Sequence, residues 1–304
     1  MNRTHDARHD DARLNLRFCL KVARPGLWFQ TLWLYLMPLA SGADWSSSAL
    51  WIGLVYVTWP LNVLVYGWND LVDVDVDAHN PRKDSWLFGA RGTLRQLRAL
   101  RPVMALAQLP FVIAFAWFGG AARGGWLLAT MASVVALNAS YNATIGGLRG
   151  RPPFDLLNPL GYLLVVAISL LLNDRPALPW PSWLYLGGFV LQAQLIGEIM
   201  DVAPDRAAGR VTTATILGVA RAKVVVIALV AALGLLCGLV FADWMLGGFL
   251  LAGCGWLLYD LLVYARDRTS YSRAEHTVAG IGMNVAGLLS MLWLFWRPTL
   301  LAVP

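Results

Sequence analysis

The stretch "NDLVDVDVD", residues 69–77, sets carboxylates at Asp70, Asp73, Asp75 and Asp77 directly after a long apolar run. Like charges this close repel one another unless something cationic sits among them. On a continuous helix, Asp70, Asp73 and Asp77 fall within about 60° of one another. Asn69 joins them on an arc of roughly 100°, and Asn62 and Tyr66 lie deeper on the same stripe. Asp75 points away. A row of carboxylates one turn apart, topped by an amide, offers hard oxygen donors to a divalent cation. Mg2+ takes one or two carboxylates and completes its octahedron with water and substrate phosphate.

A second cluster repeats the pattern. In "QAQLIGEIMDVAPDRAAGR", Gln194, Glu198, Asp201 and Asp205 share one helical face. An amide and a carboxylate inside an apolar helix are costly unless they face a protein-lined cavity. Facing one another, the two clusters would hold a pair of metal ions with a diphosphate between them. Asp70, Asp73, Asp77, Asp201 and Asp205 are therefore the candidate catalytic carboxylates. Asn69, Asp73, Asp77, Asp201 and Asp205 are the candidate metal ligands. Pro204 is expected to kink the second helix and displace Asp205.

Basic residues flank both clusters: Arg82 and Lys83 in "NPRKD", Arg149 and Arg151 in "GGLRGRPPFD", and Arg206 and Arg210 in "DRAAGR". Anionic oxygens held by metal ions are commonly clamped by such side chains. Lys83, Arg82, Arg149, Arg151 and Arg210, with the hydroxyl of Tyr141, are the candidate diphosphate-binding residues. Asn62, Tyr66, Gln194, Glu198 and Tyr162 are expected to line the cavity. Trp59, Tyr66 and Tyr162 are candidates for stabilising a cation by their ring faces.

The elements that must carry these residues are membrane helices. The 304-residue chain is 58% hydrophobic and only 14% charged, where soluble domains carry roughly 25% charge. Nine apolar runs are long enough to read as spans: 28–42, 49–68, 103–119, 126–141, 156–172, 182–200, 224–241, 245–264 and 277–296. With the N-terminus inside, the inner segments hold 21 of the 24 Lys and Arg, leaving only Arg123, Arg175 and Arg297 outside. That asymmetry is a positive-inside signal. The basic balance therefore reports topology, and nothing reads as a nucleic-acid patch. The fold expected is an all-α membrane protein, with nine transmembrane helices in two similar halves around a central cavity. Residues 1–304 read as one integral-membrane domain. Residues 1–16 form a polar cytoplasmic tail lacking the apolar core of a signal peptide. Cys19, Cys237 and Cys254 have no metal-ligand spacing and read as buried hydrophobes.

These residues resemble the UbiA superfamily of intramembrane prenyltransferases. "NDLVDVDVD" is similar to its N-D-x-x-D-x-x-x-D motif through Asn69, Asp70, Asp73 and Asp77, and "DVAPD" to its D-x-x-x-D motif through Asp201 and Asp205. "YNATIGGLRGRPPFDLL" is similar to the family's Tyr-Ser-x-Pro-Pro-x-Arg-x-Lys loop, carrying Tyr141 and Arg149 across. It departs at Thr144 and Ile145, which stand for two prolines, and at Gly147, which stands for a basic residue. "ARPGLWFQTLWLYLMP" and "WPLNVLVYGWNDLVDVDVDAHNPRK" are most similar to the lycopene elongase branch. The resemblance implies a Mg2+-dependent enzyme in the cytoplasmic membrane that works among membrane lipids, with its active-site loops cytoplasmic. It implies transfer of a prenyl group from an allylic prenyl diphosphate to a hydrophobic acceptor, either a carotenoid or other lipid or an aromatic compound.

Three alternatives compete. A terpene cyclase of the same architecture would ionise the same diphosphate without an acceptor. A transporter would hold its carboxylates at the midplane, whereas both clusters fall at the inner helix ends. A CDP-alcohol phosphotransferase would open its motif with D-G-x-x-A-R, which is absent.

Overall fold

A computed structural model describes residues 14–143 and 147–301. The expected N-terminal tail therefore lies almost wholly outside the described residues, as do Thr144 and Ile145. Among the described residues the chain is helical, with a single isolated β-bridge between Ser85 and Gly89.

The order begins with α1 (Leu16–Val22) and α2 (Trp28–Leu36). Next come α3 (Ser48–Val57), α4 (Trp59–Val72) and α5 (Val74–His79). The long α6 (Leu94–Asn142) leads to α7 (Leu163–Leu172) through a 3-10 stretch, and then to α8 (Trp180–Ala207) and the short α9 (Thr213–Leu217). α10 (Val219–Leu239), α11 (Trp244–Tyr259, running on as a π-turn to Tyr264) and α12 (Arg273–Trp296) complete the bundle.

Seven helical segments among the described residues are long and apolar enough to cross a membrane. Against the nine expected runs, one is short and two are joined end to end in a single segment. The first run, 28–42, yields only the nine-residue α2 and a 3-10 turn. The third and fourth runs are joined in one 49-residue stretch, α6, but remain two helices on either side of a break. The break is at Gly120, whose φ of 58° and ψ of −164° are open to glycine alone. A Cβ on Gly119 would lie 2.8 Å from the Leu127 side chain, whereas a straight helix separates those positions by about 12 Å. The chain therefore turns back on itself there. Asn62 belongs to another break, at Thr58 (φ −85°, ψ −109°), where Pro60 opens α4. Its amide donates to Thr58 O at 2.6 Å and Val57 O at 2.9 Å. Carbonyls freed inside a membrane must find such partners.

Large apolar side chains cover the outside, among them Trp117, 82% exposed, and Trp296, 84% exposed. That is the surface a bilayer, not water, would solvate. Inside, Trp33, Tyr35, Tyr56, Phe115 and Tyr185 are fully buried. Tyr56 sits 5.2 Å from Phe111 and 5.1 Å from Phe115, ring to ring. The three cysteines are buried and free.

Candidate active site

One cavity of about 480 Å³ opens among α2, α4, α5, α6, α8, α11 and α12. Its polar end carries Asp73, Asp77, Arg82, Lys83, Arg149, Asp201, Asp205 and Arg210, and its far end is apolar and aromatic. The ends of α4–α5 and α8 supply the carboxylates, so both sequence clusters meet at the same mouth.

The first cluster is not one continuous helix. α4 ends at Val72, and Asp73 (φ −99°, ψ 12°) is the joint with α5. The "VDVD" run combines β-branched residues with carboxylates spaced at one turn, and both weaken a helix. Asp73 consequently swings to meet Arg149 and Arg210 in ion pairs, with Asn69 donating to it at 3.3 Å. Asp77 pairs with Lys83 at 2.7 Å. Burial pushes the Asp77 carboxyl up to about 6 against the pull of Lys83. Asp70 leaves the row. It lies beneath the cavity wall, 1% exposed, where Arg24 reaches it at 2.7 Å and Lys83 at 2.6 Å. Lys83 thus joins Asp70 to Asp77, while Asp70 itself lies outside the cavity lining that holds Asp73 and Asp77.

The second cluster stays on one regular helix. α8 continues through Pro204 to Ala207, and Gln194, Glu198, Asp201 and Asp205 all line the cavity. Asp201 pairs with Arg82 and accepts from Asn80 at 3.2 Å. Arg210 contacts both Asp73 and Asp205, the latter at 3.5 Å. One guanidinium therefore bridges the two clusters. Burial lowers Arg210 to about 10, the mark of a cation held out of water.

Tyr141 lines the cavity, with the Arg149 guanidinium 5.5 Å from its ring centre. Arg149 also donates to Asn142 at 3.0 Å. Tyr66 and Tyr162 both line the cavity. Asn62 does not line it and serves the break at Thr58. Trp59 is also placed elsewhere, donating to Cys19 O at 3.1 Å. Arg151 is exposed and lies outside the cavity wall, as does Arg206.

Sequence reasoning missed Arg24, Asn80 and Asp155. Arg24 counted only as a topology charge, yet it is buried, lines the cavity and stacks 4.2 Å from the centre of the Tyr66 ring. The available signal was "RPG", a basic residue at a helix break with an acidic run to answer. Asp155 accepts from Thr213 N and Oγ1, both at 2.6 Å, and so ties the loop after α6 to α9.

The donor set suits a hard divalent ion: every candidate ligand is a carboxylate or amide oxygen. Each carboxylate is engaged by a cation, and no three acidic, His or Cys side chains among the described residues are gathered as a ready metal cage. Four carboxylates balance four cations across the mouth. In such an array the carboxylates would hold a divalent ion and the basic side chains an anionic group. The residues present fit the group.

A fold built on apolar helices, with two acidic clusters and basic partners at one end of an apolar cavity, defines an intramembrane enzyme for a charged head joined to a greasy tail. Residues 27–288 match the UbiA prenyltransferase family, and the chain belongs to that family. It is 28% identical to a lycopene elongase/hydratase of Corynebacterium glutamicum, over 67% of this chain and 70% of the relative. It is also 28% identical to a lycopene elongase/hydratase of Halobacterium salinarum, over 90% and 97% of the respective chains. A similarly named protein of Haloarcula japonica is 31% identical over 67% of this chain and 68% of its own length. Among solved structures, a UbiA homologue from Archaeoglobus fulgidus bound to DMAPP and Mg2+ shares the fold. The TM-score is 0.65 at 14% identity, covering 90% of this chain and 99% of the other. The protein is an integral membrane prenyltransferase.

Proposed function

We propose that this enzyme transfers a prenyl group from a short allylic prenyl diphosphate to the end of an acyclic carotenoid such as lycopene. The division of one cavity into an ionic mouth and an apolar interior carries this reading. The A. fulgidus homologue bound to DMAPP supports the donor class, and the names of the relatives support the acceptor.

The diphosphate lies at the mouth, where Arg82, Lys83, Arg149 and Arg210 exchange their carboxylate partners for phosphate oxygens. Asp73, Asp77, Asp201 and Asp205, with Asn69, would hold Mg2+. The ion supplies Lewis-acid neutralisation of the leaving group's negative charge. The allylic C–O bond breaks with its electron pair passing to diphosphate. Water is excluded because the interior beyond Tyr66 and Tyr162 is apolar. An aromatic face beside the allylic cation contributes about 2 kcal/mol when desolvated, and Tyr162 is placed to do so. A carbon–carbon double bond of the acceptor then attacks. The active-site loops face the cytoplasm, consistent with the distribution of Lys and Arg.

The test is turnover by purified protein in lipid nanodiscs with Mg2+ and dimethylallyl diphosphate, with and without lycopene. A product heavier than lycopene by one or two prenyl units is the expected result. A cyclic hydrocarbon formed without lycopene would defeat the transferase reading in favour of a cyclase.

A further inference from the structure

Any carbon acceptor that attacks an allylic cation becomes a cation itself, neutralised either by capture of water or by loss of a proton, and in a water-excluding interior a proton leaves. That proton comes off deeper in the cavity than the diphosphate, because the reacting carbons lie on the apolar side of the leaving group. The carboxylates at the mouth are poorly suited to take it: Asp73, Asp77, Asp201 and Asp205 sit among Arg and Lys in this structure and are the residues that would hold Mg2+ in the loaded enzyme. Asp155 also lines the cavity, but both its oxygens are taken by Thr213 at 2.6 Å.

Glu198 differs. It lies three residues before Asp201 on α8, about 4.5 Å further along the helix axis toward the apolar end. Its side chain lines the cavity and is 7% exposed. It makes none of the ion pairs found among the described residues. Its partners are neutral: the Gln194 amide at 3.2 Å on Oε1 and the Ala214 N–H at 3.2 Å on Oε2. Both donors leave each oxygen with a further lone pair. A buried carboxylate without a countercharge is costly to keep. A transient positive charge in the cavity would give this one its partner.

Resting on the prenyl-transfer reading, we propose that Glu198 is the base that takes the proton from the alkylated acceptor. The acceptor's π pair forms the new carbon–carbon bond, leaving a cation on the neighbouring carbon. A Glu198 oxygen accepts the proton from the adjacent C–H, and that C–H electron pair becomes the new double bond. The proton then passes to the departing diphosphate, which restores the carboxylate. Gln194 and Ala214 N hold the carboxylate in place throughout. The sequence's lone Glu in the second cluster, one methylene longer than its Asp neighbours, supplies the reach.

The experiment compares wild type, Glu198→Gln and Glu198→Asp in nanodiscs with Mg2+, dimethylallyl diphosphate and lycopene, measuring diphosphate release and products separately. Glu198→Gln is expected to keep diphosphate release within about threefold of wild type and to lose the alkene product by about 100-fold, with prenyl alcohol formed at the water-facing mouth taking its place. Glu198→Asp should recover part of the alkene. Alkene formed by Glu198→Gln at the wild-type rate would overturn the proposal and leave diphosphate as the base. Parallel loss of diphosphate release and alkene in both variants would also overturn it, showing Glu198 to be a structural support. Wild type that releases no diphosphate would instead sink the prenyl-transfer reading, and this inference with it.

Discussion

Arg24 reaches Asp70 at 2.7 Å across 46 residues of sequence, joining the turn before α2 to the C-terminal end of α4. Gly89 (φ +96°) closes over the pair: a Cβ there would stand 3.2 Å from Arg24 Nε and 3.5 Å from Asp70 Oδ2. Lys83 completes the lock from the other side at 2.6 Å. Asp70 thus fixes where Lys83, and through it Asp77, can stand. Removing one member of a buried ion pair costs about 3 kcal/mol because the other charge is left uncompensated. Arg24→Met should therefore lower the denaturation midpoint clearly. Asp70→Asn combined with Arg24→Met should cost less than the sum of the two singles. Additive losses in a double-mutant cycle would show that the pair is not coupled.

Asp73 and Asp201 have the opposite profile. Each sits at the cavity mouth among arginines, where its carboxylate serves chemistry more than packing. Asp73→Ala or Asp201→Ala should reduce turnover by at least about 100-fold, with the thermal midpoint lowered by Asp73→Ala, which strands two arginines, and little changed by Asp201→Ala. Unchanged activity in both variants would refute the site.

Arg210 and Arg151 were equal candidates by sequence, and the structure separates them. Arg210 bridges Asp73 and Asp205 inside the cavity, while Arg151 is exposed beyond its wall. A hydrogen bond to a charged group contributes about 1.5–3 kcal/mol. Arg210→Met should raise the KM for prenyl diphosphate by about 10- to 100-fold, and Arg151→Met by no more than about twofold. Substrate-dependence curves decide between equal and unequal effects.

What could be read from sequence follows the range of the forces involved. Apolar runs and the Lys/Arg asymmetry are local or summed signals, so the spans were legible and the acidic ends fell on one side. The face of α8 was legible because Gln194, Glu198, Asp201 and Asp205 lie on an unbroken helix. The face of α4 was not, since the joint at Asp73 resets the helical phase. The buried pairing of Asp70 was not legible, because its partner Arg24 is distant in sequence. Asn62 looked like a cavity residue because a helical wheel shows polarity and not the carbonyls loosened by Pro60. The reversal at Gly120 was legible, because "GGAARGG" separates two apolar runs that the structure keeps as helices on either side.

Metal removal follows from the charge balance at the mouth. Chelation should abolish turnover, and Mg2+ should restore it. Mg2+ alone must compete with Arg82, Lys83, Arg149 and Arg210 for the carboxylates, so it should raise the thermal midpoint little. Mg2+ with diphosphate supplies both halves of the exchange. At about 100 times its Kd such a pair adds about 2.7 kcal/mol of stability. A full shift with Mg2+ alone would show that the arginines do not guard the ligands.

Gly197 tests whether the apolar interior is the acceptor's place. It lines the cavity on α8, one residue before Glu198, and a Cβ built there meets nothing within 4 Å. Glycine inside a helix costs up to about 1 kcal/mol relative to alanine, so the position keeps open space at the expense of stability. Gly197→Leu should fold at least as well as wild type, because the added side chain enters a void and helix propensity improves. It should leave Mg2+-dependent diphosphate release near wild type and raise the KM for lycopene sharply. If lycopene still binds normally while diphosphate release falls, the donor's tail, and not the acceptor, lies against α8.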